Sequence, residues 1–289
     1  MAKHTSSIKR FTRSRAGNFF YFTILFLIGL FTILPLIYSV ITSFKPLDEL
    51  LAFPPKFYVV RPTLANYTTL PSLLSKLSIP LSRYIFNSAF VTVFTTVLHV
   101  IIASMAAFVL AIWKKNKFIK AVFLIVQFSL LYNAYTLAIP QYLIFSKTNI
   151  IDTYLVYMLP YLPSALGVFL MKQYMESSIP ESLIEAARID GAGYTRIFFN
   201  IVFPLVKPCW MTLTLFAFRD MWTVQPQGTV FSENLRTLPM IMSQITAGGI
   251  ARSGSAMAAT VILMIPPIIV YAVTQGNVME TMSSAGIKG

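Results

Sequence analysis

Side chains capable of chemistry are few in this chain of 289 residues and fall in two places. Arg219 and Asp220 stand side by side in an apolar run that continues Met221-Trp222-Thr223-Val224-Gln225. Such a pair either lines a polar pathway, where the guanidinium attracts hydroxyls or a carboxylate, or serves packing as a structural pair or a bond to a partner subunit. Trp222 offers a flat apolar face that suits a sugar ring, or an anchor at a membrane surface. Gln225 adds a polar side chain just beyond it. The second place is a polar segment holding Glu185, Ala186, Ala187, Arg188, Asp190 and Gly191, followed by Ile201 and Pro204. Two histidines and the single Cys209 form neither a nucleophile triad nor a metal-ligand spacing. No catalytic residue and no metal ligand is therefore expected. His99 lies in an apolar run without an acidic neighbour and reads as a hydrogen-bonded structural group rather than a proton relay.

The elements that must position these residues are membrane spans. Of the residues 56% are hydrophobic and only 11% charged, where a soluble chain carries about 25%. An excess of basic over acidic residues gives a net charge of +13. The basic residues sit between long apolar runs, which points to topology and not to nucleic acid. Six stretches meet the roughly 20 apolar residues a crossing helix needs: Phe19–Phe44, Phe86–Trp113, Ala121–Phe145, Thr153–Met171, Leu205–Trp222 and Ala256–Gln275. The first is too long for a signal-peptide core and reads as an uncleaved anchor. The expected fold is an all-α integral membrane protein with six transmembrane helices, and a short non-crossing helix over Leu238–Ile245.

Basic residues set the orientation. Lys3, Lys9, Arg10, Arg13 and Arg15 fill the N-terminal tail, 1–18. Lys114, Lys115, Lys117 and Lys120 follow the second span, and Lys172, Arg188, Arg196 and Lys207 follow the fourth. All lie on one side, the cytoplasmic one by charge. Within the 19–275 transmembrane region the connection 173–204 is then cytoplasmic, as is the tail 276–289, so both termini face the cytoplasm. The first outer segment, about 45–83, holds six prolines and should be irregular and exposed. Ala103, Ala107 and Ala111 recur every fourth residue and mark a close helix–helix contact.

The cytoplasmic connection reads Ser178-Ile179-Pro180-Glu181-Ser182-Leu183-Ile184-Glu185-Ala186-Ala187-Arg188-Ile189-Asp190-Gly191. Ser178 with Glu181 makes a capping box, and Gly191 supplies a left-handed C-terminal cap. The spacing predicts a helix of about three turns, with Ile179, Leu183 and Ala186 or Ala187 as an apolar strip, then a second short helix over Tyr194–Phe199. Taken alone, it could be an interfacial helix resting on the membrane. The full spacing over 24 residues, from Glu185-Ala186-Ala187 through Gly191 and Ile201 to Pro204 and Pro208, resembles the EAA loop of ABC importer permeases, with Phe203 where that pattern has leucine. The resemblance implies a cytoplasmic coupling helix that inserts into a cleft of a separate ATPase subunit. No G-x-x-x-x-G-K-S/T phosphate loop occurs in the chain, so ATP and Mg are expected on the partner and no cofactor on this chain.

Asn87-Ser88, Arg236-Thr237-Leu238-Pro239, Ile265-Pro266-Pro267 and the terminal Ser284-Ala285-Gly286-Ile287-Lys288-Gly289 look like the sugar-type permeases, and resemble the second permease subunit of the maltose and multiple-sugar importers. That resemblance implies a bacterial cytoplasmic-membrane protein paired with a second homologous permease subunit. Two ATPase subunits, an extracytoplasmic solute-binding protein and a carbohydrate complete the set of partners, and the C-terminal tail from about Thr281 reaches the ATPase. The stretch Phe218 to Gln227 departs from the usual pattern and is nearer a branch for complex, partly acidic plant-wall oligosaccharides. An ion-gradient-driven secondary transporter is the alternative. It needs a midplane carboxylate or a broken helix, for which Asp220 is the candidate, and it leaves the loop unexplained.

Overall fold

The computed structural model describes residues 15–74, 79–132, 134–226, 228–247, 249 and 252–286. Lys3, Lys9, Arg10, Arg13, Gln227 and the terminal Ile287-Lys288-Gly289 lie outside the described residues. The first half of the chain forms α1 (Arg15–Ser43), the short α2 (Leu47–Leu50), α3 (Ala65–Leu74), α4 (Leu81–Ile112), α5 (Lys117–Ser129), α6 (Ala134–Lys147) and α7 (Leu155–Met158). The second half forms α8 (Ala165–Ser178), α9 (Glu181–Ile189), α10 (Tyr194–Ile197), a π-helical turn (Phe198–Val202), α11 (Phe203–Leu205), α12 (Lys207–Trp222), α13 (Leu238–Thr246) and α14 (Ser253–Gly286). Among the described residues there is no strand.

Three helices are long and apolar enough to cross a membrane unaided: Gly17–Ser43, Leu81–Ile112 and Ser253–Gly276. They correspond to the first, second and sixth expected spans. A bent pair, Tyr194–Leu205 with Lys207–Trp222, adds a fourth crossing element if taken as one. The third and fourth expected spans are not continuous. Ala121–Phe145 is divided between α5 and α6, because α5 closes in a tight turn where Leu130 N–H donates to Gln127 O and Leu131 N–H to Phe128 O. Thr153–Met171 is divided between α7 and α8 by Pro160 and Pro163, neither of which can donate to the preceding turn. Ser164 then restarts the helix, its Oγ accepting from Gly167 N–H at 2.9 Å. The broken backbone is not left unpaired: His99 Nδ1–H donates to Tyr161 O at 2.6 Å, the structural role expected of that histidine.

Packing forms three clusters along α4, one of which joins its Val91 to Phe145, Val156, Tyr157, Met158 and Val230. At one end Val100, Ala103, Ala107 and Phe108 of α4 meet Met171 and Met175 of α8, with Ile197, Phe198, Val202, Val206 and Leu213. Ala103 and Ala107 are fully buried there, so the alanine stripe does bring two helices together. At the other end Tyr84 of α4 packs with Leu70 of α3, with Leu238, Ile241, Met242 and Ile245 of α13, and with Ala258 and Ala259 of α14.

The segment 45–83 is less irregular than its prolines suggest. α3 forms despite Pro71 because Tyr67, Leu70 and Leu73 line its inner side at helical spacing and join this second cluster. Asn66 Nδ2 donates to Ser43 O and Lys45 O, 2.8 Å each, and so caps the end of α1. Gly254 lies against the same asparagine so closely that a Cβ would stand 2.3 Å from Asn66 Oδ1. Glycine is required there by contact.

Candidate functional site

The polar connection between α8 and α12 folds as a separate bracket at the first end of the bundle. α9 runs Glu181–Ile189, close to the expected helix, but its start differs. Only Ile179 and Pro180 separate it from α8, so Ser178 is the last residue of the preceding helix and cannot cap the next one. Pro180 occupies the N-cap without a side-chain bond. Glu181 is bound instead to the end of α4, with Lys114 Nζ 2.6 Å from Oε1 and Lys115 Nζ 3.9 Å from Oε2. The hydrogen bond from Lys114 holds the Glu181 carboxyl below its ordinary range, and the same bond raises the Lys114 ammonium.

The C-terminal end of α9 is as expected. Gly191 has φ +79°, its N–H donates to Arg188 O, and Ala192 N–H donates back to Ala187 O, both at 3.0 Å. These are the two bonds of a Schellman cap. Arg188 lies over the Tyr194 ring at 4.9 Å, and that ring stands 4.9 Å from Trp113 at the end of α4. α9 is thus tied to α4 at both ends, by an ion pair and by an aromatic–cation stack.

The faces of α9 divide differently from the expected strip. Ile179, Ile184 and Ala187 pack against the core. Leu183 is exposed, as are Glu185, Ala186, Arg188 and Asp190, and Ile189 is 86% exposed. A cleft of about 520 Å³ opens between α9 and the ends of α4 and α8, with Glu185 and Arg188 at its rim.

Beyond Gly191 the second short helix is only α10, and the chain continues through the π-helical turn in which Ile201 is half-buried. Pro204 is exposed. The axis then turns by 80° into α12. The cause is local: Pro208 has no N–H for Pro204 O, and Val206 sits at φ −90°, ψ 20° outside helical geometry. Trp210 stabilises the corner. Its indole N–H donates to Phe203 O at 3.1 Å, and its ring stacks on Phe203 at 5.4 Å. Sequence pattern alone does not mark Trp210, Trp113, Lys114 or Tyr194 as site residues. The available signals are the aromatic and basic residues next to the ends of α4 and the bend.

Arg219 and Asp220 lie three turns into α12, about 18 Å from its start at about 1.5 Å per residue. Arg219 Nε is 3.4 Å from Asp220 Oδ1, with side chains 72% and 51% exposed. They face out of this chain's own packing, and so does Gln225 in the segment after the helix. Trp222 does not join them. It is buried, stacks on Phe218 at 6.0 Å, and its indole N–H donates to Leu263 O of α14 at 3.0 Å. That carbonyl is the one Pro267 cannot reach in the helical ladder. A buried packing group with its N–H committed is not free to stack on a sugar, nor does it anchor at a lipid interface.

At the opposite end the short motifs meet. Asn87 is fully buried, and its Nδ2 donates to Asn234 O and Arg236 O at 2.8 Å each, while its Oδ1 accepts from the Tyr154 hydroxyl at 2.7 Å. Ser88 Oγ accepts from Leu238 N–H at 2.7 Å. Asn87-Ser88 therefore clamps Arg236-Thr237-Leu238-Pro239 and sets the start of α13.

The described residues thus form an all-helical bundle with a short, doubly tethered helix at one end. No family model matches the chain. The sulfoquinovosyl glycerol transport system permease protein SmoH of Agrobacterium fabrum is 31% identical over 271 residues, 92% of either chain. The melibiose/raffinose/stachyose import permease protein MelC of Bacillus subtilis is 30% identical over 209 residues, 70% of this chain and 75% of that one. A solved bacterial ABC transporter involved in import of the acidic polysaccharide alginate has the same fold, with a TM-score of 0.73 at 24% identity over 91% of this chain and 98% of that one. The chain belongs to the sugar-type family of ABC importer permease subunits, a family of multi-pass membrane proteins that carry transport and not enzyme activity.

Proposed function

We propose that this chain forms half of the translocation pathway for a carbohydrate, most simply an oligosaccharide, and that α9 couples it to a separate ATPase. The observation that carries this reading is the construction of α9. It is capped, fixed to α4 at both ends, and presents Glu185, Ala186 and the exposed Ile189 away from the chain's own core. A small residue at Ala186 allows close approach, Ile189 offers apolar area, and Glu185 offers a charge to a basic partner. Because α9 is joined rigidly to α4, displacement of α9 by a closing ATPase displaces the bundle as a body. Arg188, Asp190, Gly191, Ile201 and Pro204 hold the bracket and its bend.

In this reading the chain crosses the membrane six times, with α5–α6 and α7–α8 as broken spans and α12 as the fifth. The α9 end and both termini are cytoplasmic. Irregular backbone at membrane depth is tolerated where protein buries it or a cavity adjoins it. A second homologous permease completes the pathway, two ATPase subunits carry ATP and Mg, and an extracytoplasmic binding protein delivers the sugar. Arg219, Asp220 and Gln225 face that pathway, since exposed charges on a span are too costly to meet lipid. Trp222 stands behind them as support. The transporter that shares this fold takes part in import of an acidic polysaccharide, which supports an acidic sugar as the ligand of Arg219.

The test is uptake of labelled acidic and neutral oligosaccharides by proteoliposomes holding the complete complex. ATP-dependent uptake that survives collapse of the proton and sodium gradients is expected. Uptake that follows an ion gradient and ignores ATP would instead establish a secondary transporter.

A further inference from the structure

The bracket that holds α9 borders a second cleft, on the other side of Lys114 and Lys115, and nothing in the transport reading uses it. The cleft, of about 380 Å³, is lined by Leu110, Ile119 and Phe123 and by Lys114, Lys115, Lys120, Lys172 and Glu176. Its volume is within the range of about 300–1,000 Å³ typical of ligand clefts. Four lysines and one glutamate line it, and most of the surface they turn toward it is alkyl stem. Lys172 is buried, held 2.9 Å from Glu176 Oε2 and 4.0 Å above the Phe123 ring. That leaves Glu176 already engaged, and the remaining charge of the cleft uncompensated from within it. Lys114 gives one bond to Glu181, whereas Lys115 is only 3.9 Å from that carboxylate and its side chain is 88% exposed.

The setting decides the ligand. The cleft lies where α4 ends and α5 begins, and α5 turns Phe118, Leu124, Ile125 and Phe128 outward. An apolar outer face beside a basic recess is the arrangement of a membrane surface, with hydrocarbon on one side and headgroups on the other. We propose that this cleft binds the headgroup of an anionic phospholipid. Its phosphate lies at the mouth between the exposed Lys115 and Lys120, and its acyl chains run along Ile119 and Phe123 toward the outward Leu124 and Phe128. Lys115 also stands 3.9 Å from Glu181, so the bound lipid lies beside the start of α9. The inference rests on the reading that this end of the bundle meets the bilayer surface at the ATPase side.

The test is native mass spectrometry of the complete complex from nanodiscs of mixed phosphatidylglycerol and phosphatidylcholine, for the natural sequence and for Lys115→Gln/Lys120→Gln. Lys114 stays in place and keeps its 2.6 Å ion pair with Glu181, while Lys115 is 3.9 Å from that carboxylate, so assembly with the ATPase should persist. The natural sequence should retain phosphatidylglycerol in preference to phosphatidylcholine. The double variant should lose that preference by roughly 30-fold, about fivefold per lysine removed. Equal retention by both proteins, or equal competition by soluble glycerol phosphate lacking acyl chains, would overturn the proposal. A variant that no longer co-purifies with the ATPase would assign these lysines to the ATPase contact instead, and the lipid ratio measured on the remaining permease would still decide the cleft. A phosphate-only competitor thus separates a free anion from a lipid.

Discussion

Replacing Asn87 by leucine keeps the branching at Cγ and removes three hydrogen bonds at once. The carbonyls of Asn234 and Arg236 each lose a donor at 2.8 Å, and the Tyr154 hydroxyl loses its acceptor at 2.7 Å. Each buried bond is worth about 1 kcal/mol net, and more when the partner stays buried and unpaired. Asn87 is fully buried, so Asn87→Leu should cost about 3 kcal/mol, or a shift of about 100-fold in the folded-to-unfolded ratio. Ser88→Ala removes the single bond to Leu238 N–H and should cost about 1 kcal/mol. The two share the segment 234–238, so the double variant should cost less than their sum. The assay is unfolding in mixed micelles by titrated dodecyl sulfate, followed by tryptophan fluorescence. An Asn87→Leu protein within about 0.5 kcal/mol of the natural one would refute the clamp. So would an Asn87→Leu protein no weaker than Ser88→Ala.

Three further outcomes follow from the geometry. A Cβ added at Gly191 would meet open space, so substitution there costs only backbone strain. Gly191→Ala should destabilise the bracket by about 1–2 kcal/mol and Gly191→Asn by less, and equal melting midpoints for the two would contradict this. The Glu181 carboxyl is held low by Lys114, so its contribution is present above the ordinary carboxylate range and is lost as pH falls through the lowered value. The Lys114 partner is raised, so its share persists to high pH and is lost only as pH rises through the raised value. Titration of Glu181 by carboxyl NMR should move to higher pH in Lys114→Met, and an unmoved midpoint would exclude the pair. Trp222→Phe shrinks the buried indole to a phenyl ring and leaves Leu263 O without its donor, the lost hydrogen bond alone costing about 1 kcal/mol. Adding Pro267→Ala should relieve that loss by restoring a ladder donor, and a strictly additive cycle would show that the indole bond does not serve this carbonyl.

Some of this architecture is legible in the sequence, and the rest is hidden for physical reasons. α1, α4 and α14 are readable because apolarity over two dozen residues leaves few alternatives. The break between α5 and α6 is not, because hydropathy counts side chains and not backbone bonds. Pro160 and Pro163 do announce the break before α8, yet an apolar window averages across them. In the coupling segment, Gly191 is legible because a left-handed cap has a residue signature. The capping box fails because Ser178 ends α8 only two residues before α9 and cannot serve both helices. Pro208 and Pro267 each announce a carbonyl without a ladder partner. Which donor or stack steadies each place, Trp210 at the bend and Trp222 on α14, depends on neighbours brought in by the fold. The separation of Trp222 from Arg219 and Asp220 likewise depends on how α12 is rotated against α14.

The coupling role of α9 is tested most directly by substrate-stimulated ATP hydrolysis in the reconstituted complex carrying Glu185→Ala together with Ile189→Asp. The permease should still insert and pair, while stimulation and uptake fall together because α9 no longer engages the ATPase. Hydrolysis and uptake at the natural rates would show that α9 is a surface helix, and the coupling role assigned to it would be wrong.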